Sequence, residues 1–155
     1  MTKKTIKTPT IVFDIDGTLA DIEHRLPYIE KDRAKRDWKS FNALCPHDEP
    51  IQPIIDVCNE FFKKGKFIVL CTAREESMRK GTVEWLDKHG VNYHSLMMRP
   101  LKNFKDDTLI KGDMVDILLK NNCEIELVYD DRPKVIRMFE ARNLPVVDCG
   151  NGIEF

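Results

Sequence analysis

The chain has 155 residues and a formal net charge of -1, with 42% hydrophobic and 33% charged residues. This composition predicts one globular domain with a buried core and excludes a global basic field that would hold nucleic acid nonspecifically. The five cysteines form no C-x-x-C pair and have no zinc-ligand spacing, so we expect reduced, structural thiols and a cytoplasmic protein. Residues 1–9 lead into no apolar stretch typical of a signal peptide, and no apolar run is long enough to cross a membrane.

Short apolar runs alternate along the chain with stretches of helical periodicity. In chain order, the runs predict strands over residues 10–15, 67–71, 93–98, 125–129 and 145–147. Apolar stripes between them predict helices over residues 54–62, 78–89, 110–118 and 135–139. This alternation predicts an α/β fold: a three-layer, Rossmann-like parallel sheet with helices on both faces.

Residues 21–50 interrupt the alternation directly after the first strand. The segment is polar, carries three prolines and lacks a long apolar stripe, so we predict a small cap or flap within a single domain over residues 1–155. Its lysines and arginines lie among Tyr28, Trp38 and Phe41. Such a segment suits a surface that holds a single strand and stacks a base, or a solvated amphipathic helix with its aromatic residues docked on the domain. The second interpretation is slightly favoured.

Two acids, Asp14 and Asp16, follow the first strand and lead into Gly17 and Thr18. Alternate residues of a strand point to one side, so both carboxylates are presented at the carboxyl end of the strand, where parallel sheets bind ligands. Their mutual repulsion favours a cation between them, and Mg2+ prefers carboxylate and phosphate oxygens. Gly17 lets the backbone turn and approach a bound anion. The motif alone leaves an ordinary acid-glycine turn open.

Thr72 and Arg74 follow the strand over residues 67–71. A hydroxyl group there can hydrogen-bond a phosphoryl oxygen, and a guanidinium group can bind phosphate through two donors. Thr72 also suits the N-cap of the next helix, which Glu75 and Glu76 would support through the helix dipole. Taken alone, the pattern favours capping.

Two further pairs of charged residues precede or follow predicted elements. Asp107 and Lys111 lie one helical turn apart, as the partners of a surface ion pair would. Asp130 and Asp131 follow the strand over residues 125–129 and can supply oxygen ligands, whereas helix N-capping would explain one of the two. Because the carboxyl ends of parallel strands share one edge of the sheet, we expect all these groups to converge.

Together these motifs resemble the haloacid dehalogenase (HAD) superfamily of aspartyl-phosphate phosphatases. The resemblance rests on four motifs in the expected order: Asp14-x-Asp16-Gly17-Thr18, Thr72, Lys111 and Asp130-Asp131. Residues 98–111, 129–139, 150–155 and 21–26 are similar, more narrowly, to the 3'-phosphatase domain of phage-type polynucleotide kinase/phosphatase and its relatives. No G-x-x-x-x-G-K-[ST] phosphate loop occurs, so we expect a phosphatase without the kinase half.

The resemblance implies a role for each motif residue. The implied catalytic residues are the nucleophile Asp14, the general acid and base Asp16, and the phosphoryl-stabilising pair Thr72 and Lys111. Mg2+ would be held by the Asp14 carboxylate, the Asp16 backbone carbonyl and Asp130, with Asp131 bound directly or through water. The residues expected to bind or position substrate are Gly17, Arg74, Arg99, Asp107 (by orienting Lys111) and Arg25 (with His24 at the pocket mouth).

We therefore expect a Mg2+-dependent phosphomonoesterase, and a 3'-phosphatase for polynucleotide or nucleotide ends is the first hypothesis. A 5'-nucleotidase or general small-molecule phosphatase is the second. A non-catalytic phosphate-binding module is the third, and the presence of both first-motif carboxylates and of the lysine weakens it. The expected partner is a phosphomonoester substrate, with no membrane and no obligate protein partner. The expected location is the cytoplasm, that of a host cell if a phage encodes the chain.

Overall fold

A five-stranded parallel sheet forms the centre of the computed structural model, which describes residues 5–155. Its strands are β1 (Thr8–Phe13), β4 (Phe67–Glu75), β5 (Ser95–Arg99), β6 (Cys123–Asp130) and β7 (Val146–Asp148), and a separate antiparallel pair consists of β2 (Ala20–Asp21) and β3 (Glu49–Pro50). The helices are α1 (Trp38–Ala43), α2 (Gln52–Lys63), α3 (Arg79–Lys88), α4 (Asp107–Lys120) and α5 (Pro133–Ala141). The large sheet has the order β5-β4-β1-β6-β7.

The first four residues of the N-terminal segment lie outside the described residues, so the expectation of no signal peptide and the domain boundary at residue 1 concern residues that the structure does not describe. Within residues 5–155, no helix is both long and apolar enough to cross a membrane.

Strand β1 lies in the middle of the sheet because it is apolar on both faces. Val12 pairs with Val69 of β4 on one side and with Val128 of β6 on the other. Ile11 and Phe13 belong to a core cluster with residues of α2 and α3, whereas Val12 belongs to a second cluster with residues of α4 and α5. The predicted three-layer α/β fold is confirmed.

Strand β4 runs to Glu75, further than the predicted end at residue 71. A register shift follows Cys71, and pairing with β5 resumes where Glu75 meets Arg99. Because Thr72 lies inside a strand, it is not a helix N-cap. The capping alternative for Thr72 is therefore wrong, because the strand continues past its apolar run.

Residues 21–50 fold into short elements between β2 and β3. They contain 3-10 turns over Glu23–Tyr28, Arg33–Lys35 and Cys45–His47 and the six-residue helix α1. A small cluster of buried side chains, Ile22, Ile29 and Phe41, holds the segment together. Phe41 is thus docked, while Trp38 stays half-exposed. The assignment of a single domain stays a prediction.

Candidate active site

Three acids meet at the carboxyl end of the sheet. Asp14 follows β1, and its backbone N–H donates to the Tyr129 carbonyl of the neighbouring strand at 2.9 Å. Asp130 is the last residue of β6, and Asp131 follows it. Asp14 and Asp130 are buried, which places two carboxyl groups in a low-dielectric environment.

Lys111 enters this group from α4 and is the cation nearest to the acids. Its Nζ lies 2.9 Å from Asp14 Oδ1 and 2.5 Å from Asp130 Oδ2. The charges of Asp130 and Asp14 raise the pKa of Lys111 even though burial opposes this, so the amine stays protonated. Asp130 Oδ1 also accepts from the backbone N–H groups of Asp131 and Arg132, at 2.9 and 3.1 Å. These bonds fix the side chain of Asp130. The Asp131 side chain takes no part in them.

One lysine does not balance three carboxylates. Oxygens of Asp14, Asp130 and Asp131 lie within 4.8 Å of one another. Burial raises the pKa of Asp14 well above its usual value, and the neighbouring Asp130 and Asp131 raise it further, while Lys111 lowers it. Burial, followed by the charge of Asp130, raises the pKa of Asp131 to about 6. The buried Asp131 Oδ1 has no hydrogen-bond partner among the described residues. This donor set fits a hard divalent cation.

Two glycines give the Asp131 side chain and backbone their space. A Cβ on Gly17, whose φ is +80°, would overlap the carboxylate of Asp131. A Cβ on Gly150 would overlap the backbone of the same residue. Gly17 therefore borders the acid cluster, and its N–H donates to the Ala20 carbonyl at 2.8 Å.

Asp16 belongs to a different cluster, in which two arginines face two acids. Its carboxylate accepts from Arg25 Nη2 at 2.5 Å and from Arg74 Nη2 at 2.6 Å. Both guanidinium groups also reach Asp48, at 2.8 Å from Arg25 and 3.2 Å from Arg74. Burial alone would raise the pKa of Asp16, but Arg74 and Arg25 outweigh burial and lower it well below its usual value.

The positions of Arg25 and Arg74 correct part of the sequence-based expectation. Arg25 does not lie at the pocket mouth; it is fully buried and stacks over Phe41 at 4.2 Å. Arg74 lines the pocket, but its donors go to Asp16, Asp48 and Thr82. Two buried arginines thus hold protein carboxylates, because charge pairing offsets the cost of burying each group.

Asp48 was missed because nothing in the sequence marks it. It lies just before β3, and Arg25 and Arg74 both pair with its fully buried side chain. His24 Nε2 lies 2.7 Å from the same carboxylate. Trp85 Nε1 donates to the backbone carbonyl of Asp48 at 2.9 Å. An acid that follows none of the strands of the large sheet therefore completes the network around Asp16.

Asp107 does not orient Lys111, which corrects a second expectation. It instead pairs with the guanidinium groups of Arg99 and Arg132. Arg99 further donates to the Ala73 carbonyl at 3.0 Å, so it ties the end of β4 to the start of α4. Lys111 lies one helical turn on but faces the acids of the sheet instead.

Thr72 is fully buried at the register shift of β4. Its Oγ1 accepts from the Arg74 backbone N–H at 3.1 Å, which shapes the bulge that aims Arg74 at Asp16. The Thr72 hydroxyl group accepts in this bond, so its O–H can still donate to another acceptor.

A pocket of about 450 Å3 opens over these groups. The predicted site residues that line it are Asp14, Asp16, Arg74, Arg99, Asp107 and Lys111. The lining also includes Trp38, Phe41, Phe104, Arg132 and Phe155. Thr72, Asp130, Asp131, Gly17 and Arg25 lie outside this lining. Arg132 and Phe155 lie in stretches that resemble the phosphatase family, but the sequence assigned no role to either of them or to Phe104.

Known structures and sequences resemble the chain at two levels. A haloacid dehalogenase-like family protein from Streptococcus pneumoniae superposes with a TM-score of 0.65 at 13% identity, over 91% of this chain and 84% of that one. A chain of the Pnkp1/Rnl/Hen1 RNA repair complex superposes with a TM-score of 0.80 at 24% identity, over 95% of this chain and 44% of that one. These likenesses establish the HAD fold.

In sequence, the chain is 26% identical over 150 residues to a protein of Autographa californica nuclear polyhedrosis virus, whose name describes it as a bifunctional polynucleotide kinase/RNA ligase. The match covers 94% of this chain and 20% of that protein. The chain thus spans about a fifth of the length of the curated relative it matches.

The fold and the motif residues define the class of the protein as a HAD-type phosphatase, which acts on phosphoesters. Residues 8–153 match the model of a narrower family, the polynucleotide kinase PNKP phosphatase domain. The chain therefore belongs to the family of PNKP phosphatase domains. The resemblance found in the motifs is confirmed, and the hypothesis of a non-catalytic phosphate-binding module is set aside.

Proposed function

We propose that this phosphatase removes the 3'-phosphate from polynucleotide or nucleotide ends, with Asp14 as the covalent nucleophile. The observation that carries the proposal is the position of Asp14, buried at the base of the pocket within 2.9 Å of a buried lysine. The names of the viral relative and of the RNA repair complex support a nucleic-acid substrate.

Asp14, Asp130 and Asp131 would hold Mg2+, together with the backbone carbonyl of Asp16. The unbalanced charge of the three acids and the unpartnered oxygen of Asp131 support this assignment. When bound, the cation supplies charge that offsets the repulsion between an anionic nucleophile and an anionic phosphate.

In the first step, an Asp14 oxygen attacks phosphorus and the bond from phosphorus to the leaving 3'-oxygen breaks. Lys111 holds the Asp14 carboxylate in place and, with the Thr72 hydroxyl group, stabilises charge on the transferring phosphoryl group. In the second step, water attacks the aspartyl-phosphate, loses a proton and releases inorganic phosphate, which restores Asp14.

Asp16 would donate a proton to the leaving oxygen and later accept one from the attacking water. Its two arginine partners favour the ionised form, which is ready for the second task. For the first task, Asp16 must leave the arginines, take up a proton and turn toward the leaving oxygen. A change of partners at Asp16 is therefore part of the proposed cycle.

A substrate panel tests the proposal. With Mg2+ present, kcat/KM is measured for a 3'-phosphorylated oligonucleotide, 3'- and 5'-mononucleotides and a sugar phosphate. We expect the 3'-phosphorylated oligonucleotide to be the best substrate and the 5'-mononucleotide to be poor. Preference for the 5'-mononucleotide or the sugar phosphate would favour a nucleotidase or a general small-molecule phosphatase instead.

A further inference from the structure

We propose that Trp38 and Phe104 form a nucleobase subsite at the rim of the active-site pocket, where the base of the nucleotide that carries the 3'-phosphate stacks. This inference rests on the proposed function and deepens it. It names single-stranded nucleic acid as the substrate and two aromatic side chains as the groups that stack on its terminal base.

The two aromatic residues belong to separate segments that meet at one pocket. Trp38 starts α1 in the segment between β2 and β3, and Phe104 lies in the loop between β5 and α4. Both line the pocket that also contains Asp14 and Lys111. Its volume of about 450 Å3 lies near the lower end of the range of about 300–1,000 Å3 for small-ligand sites. This is room for one nucleotide, with its phosphate on Asp14 and its base at the rim.

Trp38 is fixed on one edge and open elsewhere. Its ring meets Phe41 edge to face at 5.6 Å, and 46% of the residue stays exposed. Phe41 lies under the Arg25 guanidinium at 4.2 Å, and Arg25 in turn holds Asp16 at 2.5 Å. Packed contacts thus connect the indole to a carboxylate of the site, which gives a stacked base a defined position relative to the reacting phosphate.

Phe104 is 88% exposed although its loop is firmly held. Arg99 donates to the carbonyls of the residues on either side, Asn103 at 2.9 Å and Lys105 at 2.7 Å. The backbone at Phe104 is therefore held, while the phenyl ring stays open to solvent. Stacking a base on this ring would remove apolar surface from water at little cost in ordering the loop.

The charge around Trp38 matches a polyanion better than a neutral aromatic ligand. Within residues 5–155, four cations of the surrounding segment make no salt bridge: Lys31, Arg33, Arg36 and Lys39. The Arg36 guanidinium lies 6.0 Å from the Trp38 ring. Aromatic residues that alternate with unpaired cations are typical of single-strand binding surfaces, where bases stack and phosphates meet positive charge. The rest of the strand would extend from the pocket across these cations.

The test compares two 3'-phosphorylated oligonucleotides that differ only in whether the terminal nucleotide has a base or is abasic. We expect the unmodified protein to prefer the terminal base about tenfold in kcat/KM. Trp38→Ala and Phe104→Ala should each lower kcat/KM about tenfold for the substrate with the base, so that the preference disappears. Trp38→Phe should keep most of it. The matched control Leu119→Ala, at a half-exposed position of α4 outside the pocket lining, should change neither rate.

Equal rates on both oligonucleotides for the unmodified protein, or an undiminished preference in both alanine variants, would overturn the subsite and leave the proposed function standing. No hydrolysis of either oligonucleotide, with a small phosphoester still hydrolysed, would overturn the proposed function itself. Circular dichroism checks that each variant is folded. If Trp38→Ala unfolds, the unmodified protein and Phe104→Ala decide, because the exposed phenyl ring contributes little to the core.

Discussion

Two clusters of buried charge each contribute residues to this pocket, and they differ in the balance of positive and negative charge. In the first, Asp14, Asp130 and Asp131 face one cation, Lys111. In the second, Asp16 and Asp48 face two arginines, Arg25 and Arg74. The first cluster carries an excess of negative charge and a carboxylate oxygen of Asp131 without a hydrogen-bond partner. In the second cluster the charges balance, and the unpartnered atom among the described residues is a donor, Arg25 Nη1.

This difference separates two uses of the same residue type. Buried acids that are fully paired hold structure in place, whereas buried acids in excess are costly unless a ligand adds charge. The first cluster therefore suits cation binding and reaction with phosphate. The second suits the positioning of Asp16 and of the segment that carries Asp48. Substitutions in the two clusters should have different consequences.

The largest effect should come from Asp14→Asn in the first cluster. Asparagine keeps the size of the side chain but is no nucleophile, so we expect kcat to fall by at least about a thousandfold. The fold should be retained, because a neutral side chain relieves repulsion among the acids. Steady-state kinetics and a thermal melt measure both. Near-normal turnover would rule out Asp14 as the nucleophile.

Lys111→Met should lower kcat by about a hundred- to a thousandfold, because Asp14 and Asp130 lose the cation between them and the phosphoryl group loses a donor. Lys63→Met is the matched control, since Lys63 pairs with Glu60 on the surface at 3.5 Å. It should leave kcat unchanged. Equal activity of the two variants would contradict the role of Lys111.

Asp48→Asn should act mainly on stability. It removes an acid from the balanced cluster and leaves Arg25 and Arg74 with a single charged partner, which costs about 3–5 kcal/mol of unfolding free energy. The control Asp116→Asn, at an exposed pair with Arg142, should cost far less, because solvent screens an exposed ion pair. Urea unfolding measures both. A similar small loss in both variants would show that the balanced cluster does not hold the segment in place.

Asp131→Asn should stabilise the metal-free protein, by up to about 3 kcal/mol at pH 7. The folded state raises the pKa of Asp131 to about 6, above its usual 3.8, so it binds the proton more tightly than the unfolded state. This tighter proton binding stabilises the folded protein fully below about pH 4, and the stabilisation is lost as the pH rises through 6. Urea unfolding with a chelator should therefore show a larger gain at pH 7 than at pH 4.5. A gain independent of pH would contradict this account.

The sequence was informative where chemistry follows directly after an apolar strand. Asp14 and Asp130 were predictable because parallel strands bring their carboxyl ends to one edge, and Lys111 because it belongs to a motif of known order. The alternation of strands and helices likewise predicted the sheet. The inferences for the sheet and for the two acids depend on hydrophobic periodicity and on the order of the elements, which can be read from the sequence, and the inference for Lys111 depends on the family resemblance.

Partners of buried charges were not predictable in the same way. The family resemblance implied that Asp107 orients Lys111, but α4 directs the two side chains to different groups. Arg25 was expected at the pocket mouth, but its side chain is buried and donates to Asp48, which lies 23 residues away in the sequence. Such pairings depend on how segments pack in three dimensions, and a polar residue in an irregular segment gives no sign of its partner.

The most direct test of Asp14 as the covalent phosphoryl acceptor is to trap that residue during turnover. Protein mixed with a 3'-phosphorylated oligonucleotide and Mg2+ is quenched in acid and reduced with borohydride, and its peptides are analysed by mass spectrometry. We expect reduction at Asp14, as an aspartyl-phosphate there requires, and none in Asp14→Asn. Trapping at Asp16 or at another carboxylate, with Asp14 unchanged, would contradict the account.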